Sequence, residues 1–154
     1  MNWLRLPCRD ASTSRVDPDT GLLEVAARAG GRRHGLTQLY YPDGSLREEA
    51  RFERGVRAGA RTFWYADGAR ERELSYADGL RDGPERRWHE TGALALEGTW
   101  TAGEQVGTWS WYGPDGALIR SEDFEHGTRT AVRVLRADGR RQGDPAPDFG
   151  GRAE

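Results

Sequence analysis

No lysine occurs in the 154 residues, and all 23 basic side chains are arginine. That absence removes Schiff-base chemistry and the lysine of a phosphate-binding loop. Cys8 is the single cysteine, so an intrachain disulfide framework and a cysteine-cluster zinc site are both excluded. Three histidines, His34, His89 and His126, form no H-x-x-x-H pair, and no G-x-S-x-G sequence occurs. Neither a metal nor a cofactor is expected. No apolar run approaches membrane-spanning length, and the opening MNWLRLPCRDASTS lacks the apolar stretch of a secretory signal, which makes the cytoplasm the default location. A net charge of −2 argues against nucleic acid as a partner and against general affinity for anionic lipid. With 36% hydrophobic and 31% charged residues there is little material for a thick core, and a thin or elongated fold is favoured.

What the chain does have is glycine at regular intervals. Glycines at 44, 55, 68, 79, 92, 103, 116 and 127 are separated alternately by 11 and 13 residues, and Gly35, Gly59, Gly83 and Gly107 recur every 24. Aromatic residues keep the same period. Tyr40, Trp64, Trp88 and Tyr112 form one column, and Phe52, Tyr76, Trp100 and Phe124 form another. Two independent residue classes in one phase define four units, 35–58, 59–82, 83–106 and 107–130.

Each unit holds two apolar-polar segments of strand length flanked by glycine turns. The first turn, Tyr41-Pro42-Asp43-Gly44-Ser45 in unit one, suits a type I turn followed by a left-handed glycine, a three-residue hairpin loop. That register sets Tyr40 against Leu46, Trp64 against Arg70, Trp88 against Leu94 and Tyr112 against Leu118. Continued strictly by alternation, it places both aromatic columns, the structural core, on one side. The other side then carries Arg47, Glu49, Arg51, Glu71, Glu73, Ser75, Ala95, Glu97 and Thr99, largely in solvent. The second turn, as in ERGVRAG, reads as a longer one. The fold expected is all-β, a single-layer antiparallel meander of tandem 24-residue hairpins. Residues 1–34 read as an N-terminal arm with a degenerate capping repeat (VDPDTGLLE, RRHG), and 131–154 as a partial capping repeat with a disordered tail.

Segments such as YADGLRDG, TFWYADG and TWSWYGPDG resemble MORN repeats, and more specifically the bacterial variant found in YwqK family antitoxins. The resemblance covers 35–130 well and 16–34 and 131–140 faintly. It implies a curved single-layer sheet used for protein contacts, with some bacterial members acting as immunity partners of secreted toxins. Many MORN repeats read G-x-G after the second turn. Here Thr37, Arg61, Glu85 and Trp109 stand at the second of those glycines. The substitution favours the bacterial variant and weakens any import of phosphoinositide binding.

By strict alternation the first strands send Tyr41, Phe63, Tyr65, Arg87, His89, Trp109 and Trp111 to the polar side. Rings beside arginines on a rigid sheet are what protein-binding surfaces use. The competing reading is a second small core. A ladder of Glu49, Glu73 and Glu97 would be the carboxylates of a hydrolase, but a solvated row balanced by Arg47, Arg51 and Arg72 is the simpler account. The expectation is therefore a non-enzymatic module that binds a protein, such as a toxin. A scaffold or peripheral membrane adaptor is the alternative, and dimerisation through an open sheet edge is a further expectation.

Overall fold

In the computed structural model, residues 11–135 are described, and they form one 11-stranded antiparallel sheet whose spatial order is the chain order. The strands are β1 Ala11–Val16, β2 Leu23–Ala29, β3 Arg32–Tyr40, β4 Leu46–Glu53, β5 Val56–Trp64 and β6 Arg70–Ala77. They continue with β7 Leu80–Trp88, β8 Leu94–Thr101, β9 Glu104–Tyr112, β10 Leu118–Glu125 and β11 Thr128–Val134. The architecture is all-β, an open meander of hairpins in a single layer. Among the described residues no helix is long and apolar enough to cross a membrane. β1 and β2 precede the four units, and β11 runs from the end of unit four into the residues beyond it. Cys8 and the tail beyond 135 lie outside the described residues.

The three-residue loops set the register that the glycines imply. Tyr40 faces Leu46, Trp64 faces Arg70, Trp88 faces Leu94 and Tyr112 faces Leu118. In unit one Tyr41 N–H donates to the Ser45 carbonyl at 2.9 Å, and Gly44, at φ 88°, closes the turn on the Tyr41 carbonyl. Asp43 Oδ1 accepts the Ser45 backbone N–H and hydroxyl, at 2.9 and 2.7 Å, which fixes the loop from inside.

One step beyond the loop the expected alternation fails. Leu39 faces Glu48, so Arg47 is an extra residue, and the same bulge falls at Glu71, Ala95 and Ile119. A single inserted residue inverts every later side chain on that strand. The two aromatic columns therefore lie on opposite faces. Tyr40, Trp64, Trp88 and Tyr112 share the back face with Glu49, Glu73 and Glu97. Phe52, Tyr76, Trp100 and Phe124 share the front face with Ala50, Leu74 and Leu96. This corrects the one-sided core read from the sequence.

The second turn is also tighter than expected. Glu53 faces Val56, Ala77 faces Leu80, Thr101 faces Glu104 and Glu125 faces Thr128. These are two-residue loops, with positive φ at both central residues: Arg54 and Gly55, Asp78 and Gly79, Ala102 and Gly103, His126 and Gly127. That is the type I′ geometry matched to strand twist. The glycine four residues on belongs to a bulge. Phe52 faces Arg57 while Ala50 faces Arg61, so residues 57–61 of β5 span residues 50–52 of β4. The offset is even, so the faces are preserved. Neighbouring units are tied at these loops by Gly55 N–H to the Arg33 carbonyl at 2.7 Å, Gly79 to Arg57 at 3.0 Å and Gly103 to Arg81 at 2.8 Å.

Among the described residues, the buried hydrophobic side chains are all on the front face: Ala26, Ala50, Phe52, Leu74, Leu96 and Trp109. The core of this single layer is thus one side of the sheet, which also carries the charges described next.

Candidate protein-binding face

Down the middle of the front face runs a column at which all four units differ: Thr37, Arg61, Glu85 and Trp109. Each sits on the first strand of its unit, two residues past the bulge glycine, with its side chain over the sheet. Thr37, Glu85 and Trp109 are buried, and Arg61 is half-buried. Four different chemistries at one repeated position give each unit its own local network.

Unit three is built around Glu85, which is fully buried. Its Oε1 accepts Arg72 Nε at 3.0 Å, Arg72 Nη2 at 2.8 Å and Arg87 Nε at 2.8 Å. Its Oε2 accepts the indole Nε1–H of Trp100 at 2.8 Å, with Arg81 Nη1 at 3.8 Å. Burial raises the carboxyl's pKa. The Trp100 hydrogen bond and the Arg87 and Arg72 guanidinium groups outweigh it and hold the group below its ordinary value. The anion is therefore a fixed fold element. No carboxylate so enclosed has room to take a proton from a substrate.

Unit four is built around Trp109. Its ring meets Trp100 edge-on at 5.2 Å between centroids, Phe124 at 6.3 Å and Trp111 at 6.4 Å. It lies directly over Gly98, where a β-carbon would come within 2.2 Å of the indole Cδ2. Glycine in the strand interior is thus required by the ring above it. Glu122, also buried, pairs with Arg120 and with Arg129, the latter at 3.0 Å.

A second column crosses these networks. Arg33, Arg57 and Arg81 recur at 24 residues and lie over the front-face rings. Arg33 is 5.2 Å from the Phe52 centroid and Arg81 is 4.6 Å from Trp100. Arg57 spans Phe52 at 5.8 Å and Tyr76 at 5.6 Å. Arg61 covers Phe63 at 4.5 Å and donates Nε–H to Glu48 Oε1 at 2.8 Å. Counted across the face, Arg33, Arg57, Arg61, Arg72, Arg81, Arg87, Arg120 and Arg129 outnumber Glu24, Glu48, Glu85 and Glu122. In a chain of net charge −2 this is a local cationic surface laid on aromatic rings.

The sequence-derived binding residues are divided by the structure. Phe63, Arg87, Trp109 and Trp111 are on the front face, together with the Phe52 column, and not on a separate polar side. Trp109 is 2% exposed and belongs to the core, whereas Phe63 and Trp111 are half-buried and Arg87 is exposed. Tyr41, Tyr65 and His89 occupy one repeated position just after the first strand and bridge to the next unit. The Tyr41 hydroxyl donates to the Trp64 carbonyl at 3.1 Å, Tyr65 to Trp88 at 2.7 Å, and His89 Nε2 to Tyr112 at 2.9 Å. Gly113 holds that position in unit four and is buried.

A family profile described as MORN repeat variant matches residues 33–54. That segment is β3, its three-residue loop and β4. A search of curated proteins returned no match. The MORN repeat suggests a module for binding, and its family is generally non-enzymatic.

The back face carries the glutamate ladder, and each member is occupied. Glu49 accepts Gln38 Nε2 at 2.9 Å, Glu73 pairs with Arg70 at 2.6 Å, and Glu97 accepts the Tyr112 hydroxyl at 2.7 Å. Arg72, expected to balance this row, turns to the front face and Glu85. Among the described residues no cluster of histidine, cysteine, aspartate and glutamate could hold a metal. What sequence reasoning missed was the Arg33, Arg57 and Arg81 column and the anchoring of Glu85. The 24-residue recurrence of those arginines was a usable signal, hidden by the inverted face assignment.

Proposed function

We propose that the front face of units one to four is the contact surface for a partner protein, and that the molecule is a non-enzymatic binding module. The observation that carries this reading is the excess of guanidinium groups stacked on rings along one face. Arg87 is exposed and Trp111 half-buried beside the rigid Trp109 cluster. Rings and arginine forks held by a packed sheet lose little side-chain entropy on docking, which is why such residues dominate interface energetics. The finer reading, drawn from the resemblance to YwqK family antitoxins, is an immunity factor that occupies a toxin. The MORN repeat at 33–54 supports the binding role, and the toxin is part of the proposal.

The test compares the intact chain with Trp111→Ala as immobilised bait, quantifying proteins retained by each. Loss of more than ~1 kcal/mol of affinity for a retained protein, with an unchanged melting temperature, is the expected result. A fall in melting temperature with capture unaffected would assign the ring to the fold and remove the reading. If a retained protein arrests growth when expressed alone and fails to do so beside this chain, the immunity reading stands.

A further inference from the structure

Unit three shows how this face binds a carboxylate, because the chain supplies one. Glu85 is clasped between arginine forks and an indole N–H, with an arginine of the 33, 57, 81 column at its side. Two units earlier the column position holds no acid, and Glu24, Leu39 and Phe52 stand where Arg72, Arg87 and Trp100 surround Glu85. The column residue there is Thr37, 8% exposed, whose hydroxyl is buried and makes no hydrogen bond. Nearby Arg57 has a buried Nε–H that is likewise unpartnered, and the residue has no carboxylate partner among the described residues. Its two neighbours are satisfied: Arg33 is paired with Glu24, and Arg61 with Glu48 at 2.8 Å. Thr37, Arg57 and the Phe52 ring line one open depression of about 190 Å³ on the front face, together with Leu39 and the Glu24–Arg33 and Glu48–Arg61 pairs, so that Arg57 is the one charge on its wall without an opposite partner among the described residues.

A buried donor without an acceptor costs about 1–3 kcal/mol, so two on the wall of one depression are a standing demand for an acceptor. We propose that this depression is a docking site for an acidic side chain of the partner protein. A carboxylate from an aspartate or glutamate would be held by the half-buried Arg57 guanidinium, beside Thr37 and the Phe52 ring. It would pair an arginine of this face with a carboxylate in trans, as Arg72 and Arg87 pair with Glu85 in cis. Carboxylate is the chemistry favoured because the planar guanidinium fork matches it and because the face already holds one that way. Charge complementarity fits, since arginines exceed acids across the surface. The proposal rests on the front face being the contact surface, and it adds the chemistry of one contact.

The probe is an acetylated hexaglutamate peptide titrated into the full chain, with hexaglutamine and inorganic phosphate at matched ionic strength as controls. Arginine Nε–H signals are followed by nuclear magnetic resonance. The Arg57 signal is expected to shift saturably with hexaglutamate alone, while Arg72 and Arg87, already engaged by Glu85, stay in place. Arg57→Gln should weaken binding at least tenfold, Thr37→Val severalfold, and Arg86→Gln on the back face not at all. A response spread evenly over all arginines, no response, or an equal response to phosphate would each overturn the proposal. Should Arg57→Gln lose its sheet signature by circular dichroism, the wild-type shifts and Thr37→Val decide. Partner capture that is lost with Trp111→Ala but retained with Arg57→Gln would remove this site and leave the binding face standing.

Discussion

The two faces of the sheet carry the same number of repeated rings and differ in how polar groups are held. On the back face, Tyr40, Trp64, Trp88 and Tyr112 are all half-buried, and the carboxylates among them each have one close partner. On the front face, Glu85 and Glu122 are buried and several guanidinium groups converge on each. A single layer has no second sheet to cover either face, so burial has to come from the side chains themselves. Long arginines folded over rings do this on the front, their methylene stems shielding apolar surface while their heads neutralise the acids. The lesson is that arginine here is packing material as much as charge, which is how so polar a chain makes a core.

Removing matched carboxylates from the two faces should expose that difference most sharply. Glu85→Ala leaves Arg72 and Arg87 facing one another with the Trp100 N–H unpaired, and a cost of about 3 kcal/mol is expected. Glu97→Ala on the back face frees one tyrosine hydroxyl near solvent, and should cost about 1 kcal/mol or less. Chemical denaturation of both variants checks the ratio, and equal losses would erase the distinction between the faces. The pH dependence follows with a definite sign. Glu85 titrates lower in the folded chain than in the unfolded one, so its contribution is complete above the unfolded value of ~4.3. It is lost as pH falls through the folded value. Glu85→Gln should flatten that acidic limb of the stability curve, and an unaltered limb would show that other carboxylates carry it.

The next largest effect is expected at Gly98. Its backbone is not left-handed, so alanine suits the strand, and the only obstacle is the Trp109 ring at 2.2 Å from the new β-carbon. Overpacking of this kind costs about 1–3 kcal/mol. Gly98→Ala should lower the melting temperature and shift tryptophan emission to the red as the indole is pushed from its cluster. Unchanged emission would mean that the ring is free to move, and that the front-face core is softer than its burial implies.

How much of this could be read in advance depends on what sets each feature. The 24-residue period, the strand count per unit and the Tyr40–Leu46 register follow from glycine at positive φ and from ring spacing, both visible residue by residue. Faces were a different matter. Arg47, Glu71, Ala95 and Ile119 share no residue type that marks a bulge, yet each inverts the alternation after it. As a result Phe63, Arg87, Trp109 and Trp111 are read opposite the front-face core, whose face they share. Thr37, Arg61, Glu85 and Trp109 stood out as departures from a repeated glycine, but their partners lie on neighbouring strands. Periodicity within one strand does not report which arginine of the next reaches across.

The smallest expected effect concerns the turns that hold the two faces in phase. At the first central position of the type I′ loops stand Arg54, Asp78, Ala102 and His126, with φ from 46° to 50°. Left-handed backbone costs a residue with an ordinary β-carbon about 1–2 kcal/mol, and aspartate or asparagine less. Ala102 N–H already donates to Asp82 Oδ2 at 3.0 Å, so the turn is anchored and the strain is local. Ala102→Asn should therefore raise stability by about 0.5–1 kcal/mol, with Asp78→Ala losing a similar amount in the adjoining unit. If denaturation shows both substitutions neutral, the left-handed strain is relieved by the sheet on either side. The loops would then follow the strands, and the phase of the faces would be set by the bulges alone.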